Sequence, residues 1–128
     1  MISQASVRDI PALVGLAQAM VAEAPAYVGS RFDYDAMTSM LEDMLYENQG
    51  VAFLWLNNHS GEPQGAAVAF VYRRPWSFTE RVMSDLAVYV RPEARRGGVA
   101  RALIQALETW GADRGISSMT LGVSSGIH

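Results

Sequence analysis

Arg91, Arg95, Arg96 and Arg101 fall within eleven positions and enclose the adjacent pair Gly97 and Gly98, in the stretch RPEARRGGVAR. Guanidinium groups pair bidentately with phosphate and carboxylate oxygens. A glycine pair lets an anion come close to main-chain N–H groups, because no side chain stands in the way. The stretch lies between the strand-like run LAVYV and the helix-like run VARALIQALETW. Its donors would therefore include those of a helix N-terminus, which have no intrahelical acceptor and carry the positive end of the dipole. The chemistry implied is the binding of a small anion, and a pyrophosphate suits this density of donors better than a single carboxylate. Two phosphate motifs are absent. The chain contains no lysine, so the Gly-Lys-Ser/Thr of a P-loop is not there. Nor are the three spaced glycines of a dinucleotide fingerprint, with an acid about 20 residues later. The competing reading is a glycine-eased turn with solvated arginines.

The whole chain sets limits on what that anion belongs to. Ten basic residues, all arginine, stand against 13 acidic ones, for a formal net charge of −3. Backbone neutralisation of a nucleic acid calls for a basic face, so that partner class is disfavoured. There are no cysteines, which excludes disulfides, thiolate metal sites and a cysteine nucleophile. His59 falls in a turn and His128 at the terminus, neither with a ligand partner at useful spacing, so no metal is expected. No apolar run approaches the ~18 residues that span a bilayer. The start, MISQASVRDIPALV, lacks a basic region followed by a long apolar one. A cytoplasmic protein without membrane contact is the expectation. The 128 residues suit one domain, 1–128.

The elements that must position the turn follow from periodicity. ISQASVR reads as a first strand. Asp9 is placed to cap a helix with Pro11 in its first turn, and Leu13, Leu16, Ala17, Met20 and Val21 recur at helical spacing to about Glu23. Asp33 caps a second helix with Met37, Met40, Leu41, Met44 and Leu45 on one face, a core stripe. VAFLWL and QGAAVAFVYRR flank the turn cluster NNHSGEP and read as a hairpin. RVMSDLAVYV is nearly all apolar around one acid, as expected of a strand covered on both faces. A helix over 98–113, stopped near Gly115, leads to the strand SSMTLGV at 117–123. The order is β-α-α-β-β-β-α-β, and the last strand–helix–strand unit has the length of a crossover between parallel strands.

The residues Arg95 to Ala100, RRGGVA, fit the pattern Arg/Gln-x-x-Gly-x-Gly/Ala and follow VYVRPEA. In this setting the stretch resembles the acetyl-CoA signature of the GCN5-related N-acetyltransferase (GNAT) family, and the element order extends the resemblance over essentially the whole chain. The resemblance implies an α/β (α+β) fold: a mixed, mostly antiparallel sheet with a central splayed parallel pair, flanked by helices. It implies that the main-chain N–H groups of Arg96, Gly97, Gly98, Val99 and Ala100 hold the coenzyme A pyrophosphate, with Arg95 adding a side-chain contact. Val88 and Val90 would pair their backbone with the pantetheine arm in the opening before SSMTLGV. The N–H near Val88 would face the thioester carbonyl, a donor aimed at an oxygen that gains negative charge.

The activity the resemblance implies is acetyl transfer from acetyl-CoA to a primary amine of a small molecule, peptide or protein. The amine must lose a proton to react, so a base or a water chain is needed. With no cysteine there can be no acetyl-cysteine, which favours direct attack in a ternary complex. Asp85, in the strand before the turn, is the candidate base. A buried carboxylate must be solvated, paired or shifted in pKa, and a structural pairing with Arg81 or Arg73 is the alternative. Glu80 is a weaker candidate, better read as a solvated strand end. The tyrosine that often donates a proton to the leaving thiolate in this family has no counterpart; Ser124 and Ser125 follow the last strand but suit a turn. The family's C-terminal helix and hairpin are not in this sequence. That predicts poor cover for Met119, Leu121 and Val123 and either a further tail or a homo-oligomer through that strand edge. The acceptor site is expected from the loops 25–34 and 72–79, where Tyr27, Phe32, Tyr34, Tyr72, Trp76 and Phe78 either frame the amine or close the core. A non-catalytic acyl-CoA-binding or assembly module is the competing function.

Overall fold

Both faces of one sheet are covered, which is why its strands read as nearly unbroken apolar runs. The computed structural model describes residues 1–116 and 118–120. Five strands, β1 (Ile2–Gln4), β2 (Gly50–Leu56), β3 (Pro63–Arg73), β4 (Arg81–Val90) and β5 (Ser118–Thr120), stand side by side in chain order. The first three junctions are antiparallel, and β4 and β5 are parallel. The helices are α1 (Ile10–Glu23), α2 (Tyr34–Tyr46) and α3 (Val99–Asp113). The two-residue strand period sorts the core. Ala52, Leu54, Ala66, Val68 and Tyr89 pack with α1 and α2. Val51, Phe53, Ala67, Ala69, Met83, Val88 and Val90 pack with Val99, Leu103 and Leu107 of α3. The result is a mixed, mostly antiparallel sheet with one parallel pair, flanked by helices on both sides, as the sequence predicts.

The α3 crossover sits close to the sheet. A Cβ on Gly111 would lie 3.0 Å from Met119 Sδ and 3.2 Å from Met83 Cε, so only glycine allows this approach without displacing the methionines. Two local expectations need correction. The first strand stops at Gln4, because Val7–Asp9 forms a 3-10 turn. Asp9 does not cap α1 with its side chain; its carboxylate turns back and accepts from the Ser6 N–H at 2.8 Å. Asp33 does cap α2, accepting from the Ala36 N–H at 2.9 Å. Leu121, Val123, Ser124, Ser125 and His128 lie outside the described residues.

Two irregularities shape β4. Val68 faces Ala87 and Ala69 faces Asp85, so Leu86 is an extra residue, a β-bulge in mid-strand. The described pairing with β5 runs from Val82 to Ser84. Among the described residues, no strand runs beside Val88–Val90 on that side.

Candidate functional site

The arginine-glycine stretch becomes a 3-10 turn, Pro92–Gly97, followed by Gly98 at φ +71° and ψ 21°, and then α3. That left-handed backbone is costly for a residue with a Cβ and easy for glycine. Gly98 also brings no side chain to cap the helix. The Ala102 N–H donates to the Gly98 carbonyl at 3.1 Å, so the N–H groups of Val99, Ala100 and Arg101 come before the first intrahelical bond. Gly97 and Gly98 are exposed, and a Cβ built on Gly98 meets no atom within 4 Å. The outer side of the turn is open space. Arg96 and Arg101 are exposed beside it and form no ion pair among the described residues. Donors and positive charge thus share an accessible turn, the arrangement an anion needs.

Arg95 behaves differently. Its Nε donates to the Val90 carbonyl at 2.9 Å and its Nη2 donates to Glu23 Oε1. The guanidinium lies 5.8 Å from the centroid of the Tyr89 ring, and the Tyr89 hydroxyl donates to Glu23 Oε2 at 2.7 Å. The hydrogen bond from Tyr89, then that from Arg95, holds the Glu23 carboxyl below its ordinary range. Burial, then the bond to Glu23, pushes the Tyr89 phenol up. This clamp joins the end of α1, the end of β4 and the glycine turn. Neither Glu23 nor Tyr89 stands out in the sequence as a site residue. The only hint is local: Tyr89 interrupts a run of valines facing α3, which places its hydroxyl toward α1.

Val88 and Val90 bury their side chains against α3. The Arg91 N–H donates to the Gln64 carbonyl at 2.7 Å, which sets the phase of the β3–β4 ladder. Backbone groups alternate in direction along an antiparallel strand, so those of Val88 and Val90 point away from β3, to the side where β5 lies. Arg95 takes up the Val90 carbonyl there. Asp85 is half-buried, directly after the last described pair with β5 and directly before the bulge. It stands three residues, about 10 Å along the strand, from Val88. Glu80 is engaged elsewhere: its carboxylate pairs with Arg74 at 2.9 Å and its carbonyl accepts from the Arg74 N–H, closing the β3–β4 loop.

The loop aromatics divide. Tyr27 and Phe32 are half-buried and line a cavity between α1, α2 and the sheet. Tyr34 and Tyr72 are about half exposed, and Trp76 and Phe78 are 75% and 89% exposed. The 72–79 loop therefore lines no part of that cavity. Among the described residues, no cluster of His, Cys, Asp or Glu could hold a metal ion. No described helix is long and apolar enough to cross a membrane.

The family model described as the acetyltransferase (GNAT) family matches residues 16–126. No curated protein matches. Solved structures similar to this one include a predicted acetyltransferase with acetyl-CoA from Clostridium acetobutylicum. It is 20% identical with a TM-score of 0.83, over 98% of this chain and 81% of that one. A ribosomal-protein-alanine N-acetyltransferase from Brucella melitensis biovar Abortus 2308 is 20% identical with a TM-score of 0.72, over 98% and 82%. The aminoglycoside N-acetyltransferase AAC(6')-Iy in complex with CoA is 23% identical with a TM-score of 0.74, over 97% and 76%. At these identities the likeness establishes a shared fold.

Proposed function

The chain belongs to the acetyltransferase (GNAT) family, and on that premise we propose that it transfers an acetyl group from acetyl-CoA to the primary amine of a small molecule or peptide. The observation that carries this reading is the turn at Gly98. Its backbone is left-handed, it is open outward, and it sits between the outward-facing edge of β4 and the first turn of α3. A pyrophosphate fits there: the N–H groups from Arg96 to Ala100 would hold it, and exposed Arg96 and Arg101 would add charge. The backbone of Val88 and the N–H of Val90 would take the pantetheine arm as an added strand. The fold relative from Clostridium acetobutylicum, solved with acetyl-CoA, is consistent with this use of the fold.

Acetyl-CoA supplies the activated acetyl group. Transfer forms a bond between the amine nitrogen and the acetyl carbonyl carbon and breaks the carbon–sulfur bond; the amine gives up one proton and the sulfur takes one. The Val88 N–H faces the side where the carbonyl oxygen would lie, where a fixed donor stabilises developing negative charge. Asp85, beside the point where the described β4–β5 pairing ends, is the group proposed to draw the proton from the amine, directly or through water. Direct attack in a ternary complex is the route proposed, since without cysteine no acetyl-cysteine can form.

Calorimetry with acetyl-CoA, followed by thiol release across a panel of amines, tests this reading. Saturable binding with amine-dependent thiol release is the expected result. Binding without thiol release from any amine would favour a non-catalytic acyl-CoA-binding module, and no binding at all would overturn the proposal.

A further inference from the structure

The cavity between α1, α2 and the sheet measures about 200 Å³. It opens to solvent, and what sets it apart is an almost wholly apolar lining, of the kind that marks ligand-binding grooves. Its walls are Leu16 and Met20 of α1, Met37 and Met40 of α2, and Tyr27 and Phe32 of the intervening loop. Its floor includes Leu86 and Ala87. Those two are consecutive, yet both lie with the α1–α2 cluster, because the bulge at Leu86 interrupts the alternation of the strand. The bulge thus turns an extra side chain, Leu86, into the cavity two residues before Val88, whose backbone faces the proposed donor arm. Bulges are enriched next to active sites for this reason.

The chemistry of the lining decides the occupant. No Asp, Glu, Arg or His lines the cavity, and of its two phenols that of Tyr89 is bonded to Glu23. An ammonium or a cluster of hydroxyls placed there would lose its water and find in return only ring faces and the Tyr27 phenol, too few partners to offset a desolvation cost of several kcal/mol. An apolar group gains by the same burial. Size narrows the choice further: an engineered apolar cavity of about 150 Å³ holds one benzene, so about 200 Å³ takes one ring or a branched alkyl group, not two rings. The helices α1 and α2 bring the occupant to the sheet from the face opposite α3, whose glycine turn is the proposed donor site.

We propose that this cavity receives the apolar substituent of the acceptor amine, a single aromatic ring or branched alkyl chain, with the amino group left at the bulge of β4. The inference rests on the acetyl-transfer reading and deepens it by naming the acceptor class. It separates this chain from a polycationic acceptor such as the aminoglycoside named for its fold relative.

Three of the chain's seven methionines, Met20, Met37 and Met40, line the cavity, and Met1, Met44, Met83 and Met119 do not. Methionine ¹³C-methyl spectra of the intact chain can therefore be titrated with 2-phenylethylamine, isopentylamine and spermidine. The expected result is a saturable shift of those three signals with the first two amines and none with spermidine. Ala17→Phe, which fills the cavity from α1, should remove the response; Val21→Trp makes the same test from the rim if Ala17→Phe does not fold. Thiol release should follow the same order, with kcat/KM for 2-phenylethylamine at least about tenfold above that for spermidine and falling about tenfold in the filled variant while acetyl-CoA affinity stays. Acetyl-CoA binding with no methionine response, with spermidine preferred, or with the filled variant unaffected overturns the cavity assignment alone. Absence of acetyl-CoA binding overturns the acetyl-transfer reading and the acceptor role with it.

Discussion

Replacing Gly98 separates the turn's conformational demand from its proposed anion site, because stability and affinity should change in opposite orders. At φ +71° an alanine pays the left-handed cost of about 1 kcal/mol or slightly more. No atom lies within 4 Å of the new Cβ, so no clash adds to it. In a domain of this size, about 1 kcal/mol lowers Tm by roughly 3–6 °C. Asparagine and aspartate tolerate this backbone better, so Gly98→Asn and Gly98→Asp should melt less than Gly98→Ala does. Affinity for acetyl-CoA should run the other way. Gly98→Asp places a carboxylate in the open space the pyrophosphate would occupy. At about 4 Å, each charge pair costs about 1 kcal/mol in water and about 4 near a protein surface. Two phosphate charges at this exposed turn then cost at least about 2 kcal/mol, roughly thirtyfold in Kd. Gly98→Asn isolates the steric part and should fall between Asp and Ala. Gly97 has ordinary φ and its Cβ would stand 3.9 Å from Val99 Cγ2, so Gly97→Ala should leave Tm unchanged. Thermal melts and calorimetry on the same samples read both orders. A folded Gly98→Asp protein that binds acetyl-CoA like the wild type would refute the assignment, as would affinities that simply track Tm across the series.

Arg95 and Arg96 should exchange the roles that their adjacency in sequence suggests. Arg95→Ala breaks the bonds to Glu23 and Val90 and should cost about 1–2 kcal/mol of stability, since the pair is partly exposed. Arg96→Ala should leave Tm alone and weaken acetyl-CoA binding about three- to tenfold; equal melts for the two variants would show that Arg95 is no clamp. Because the Glu23 carboxyl is held below its ordinary 4.5, its contribution is complete above that value and is lost as pH falls through the lowered one. Glu23→Gln should flatten the decline in stability below pH 4.5, and parallel curves for variant and wild type would count against the clamp. Asp85→Asn should lower kcat at neutral pH by about a hundredfold and leave acetyl-CoA affinity intact. An earlier melt with kcat of the folded protein kept would make Asp85 structural instead.

What was legible in the sequence was what neighbouring residues decide together. The glycine turn, the Asp33 cap, the hairpin and the crossover from β4 through α3 to β5 each follow from spacing within a few tens of residues. Asp9 shows the limit even at short range: its carboxylate had two places to bond, and Ser6 took it before α1 did. The clamp was out of reach, because Tyr89 and Arg95 meet Glu23 across 66 and 72 residues, and no periodicity links an exposed helix end to a strand that far away. Its effect is to tie a helix of the proposed acceptor side to the turn of the proposed donor side.

The bulge is the more consequential omission, because nothing in SDLAVYV announces it: the stretch contains neither glycine nor proline. Read with unbroken alternation, Asp85, Ala87 and Tyr89 would share one face, and the acid would look into the apolar cavity. One extra residue changes this. Ala87 and Tyr89 lie with the α1–α2 cluster, whereas the register returns Asp85 to the side of Met83 and Val88. A charged group is thereby kept out of a space suited to an apolar substituent, and the proposed meeting of acid and amine is confined to the strand edge where the described β4–β5 pairing ends. Deleting Leu86 would restore simple alternation and bring Asp85 to the cavity side. Such a chain should lose its preference for 2-phenylethylamine over spermidine before it loses acetyl-CoA binding, because the turn at Gly98 lies outside the altered register. Selectivity that survives the deletion in a folded protein would mean that the bulge does not set which acceptor enters.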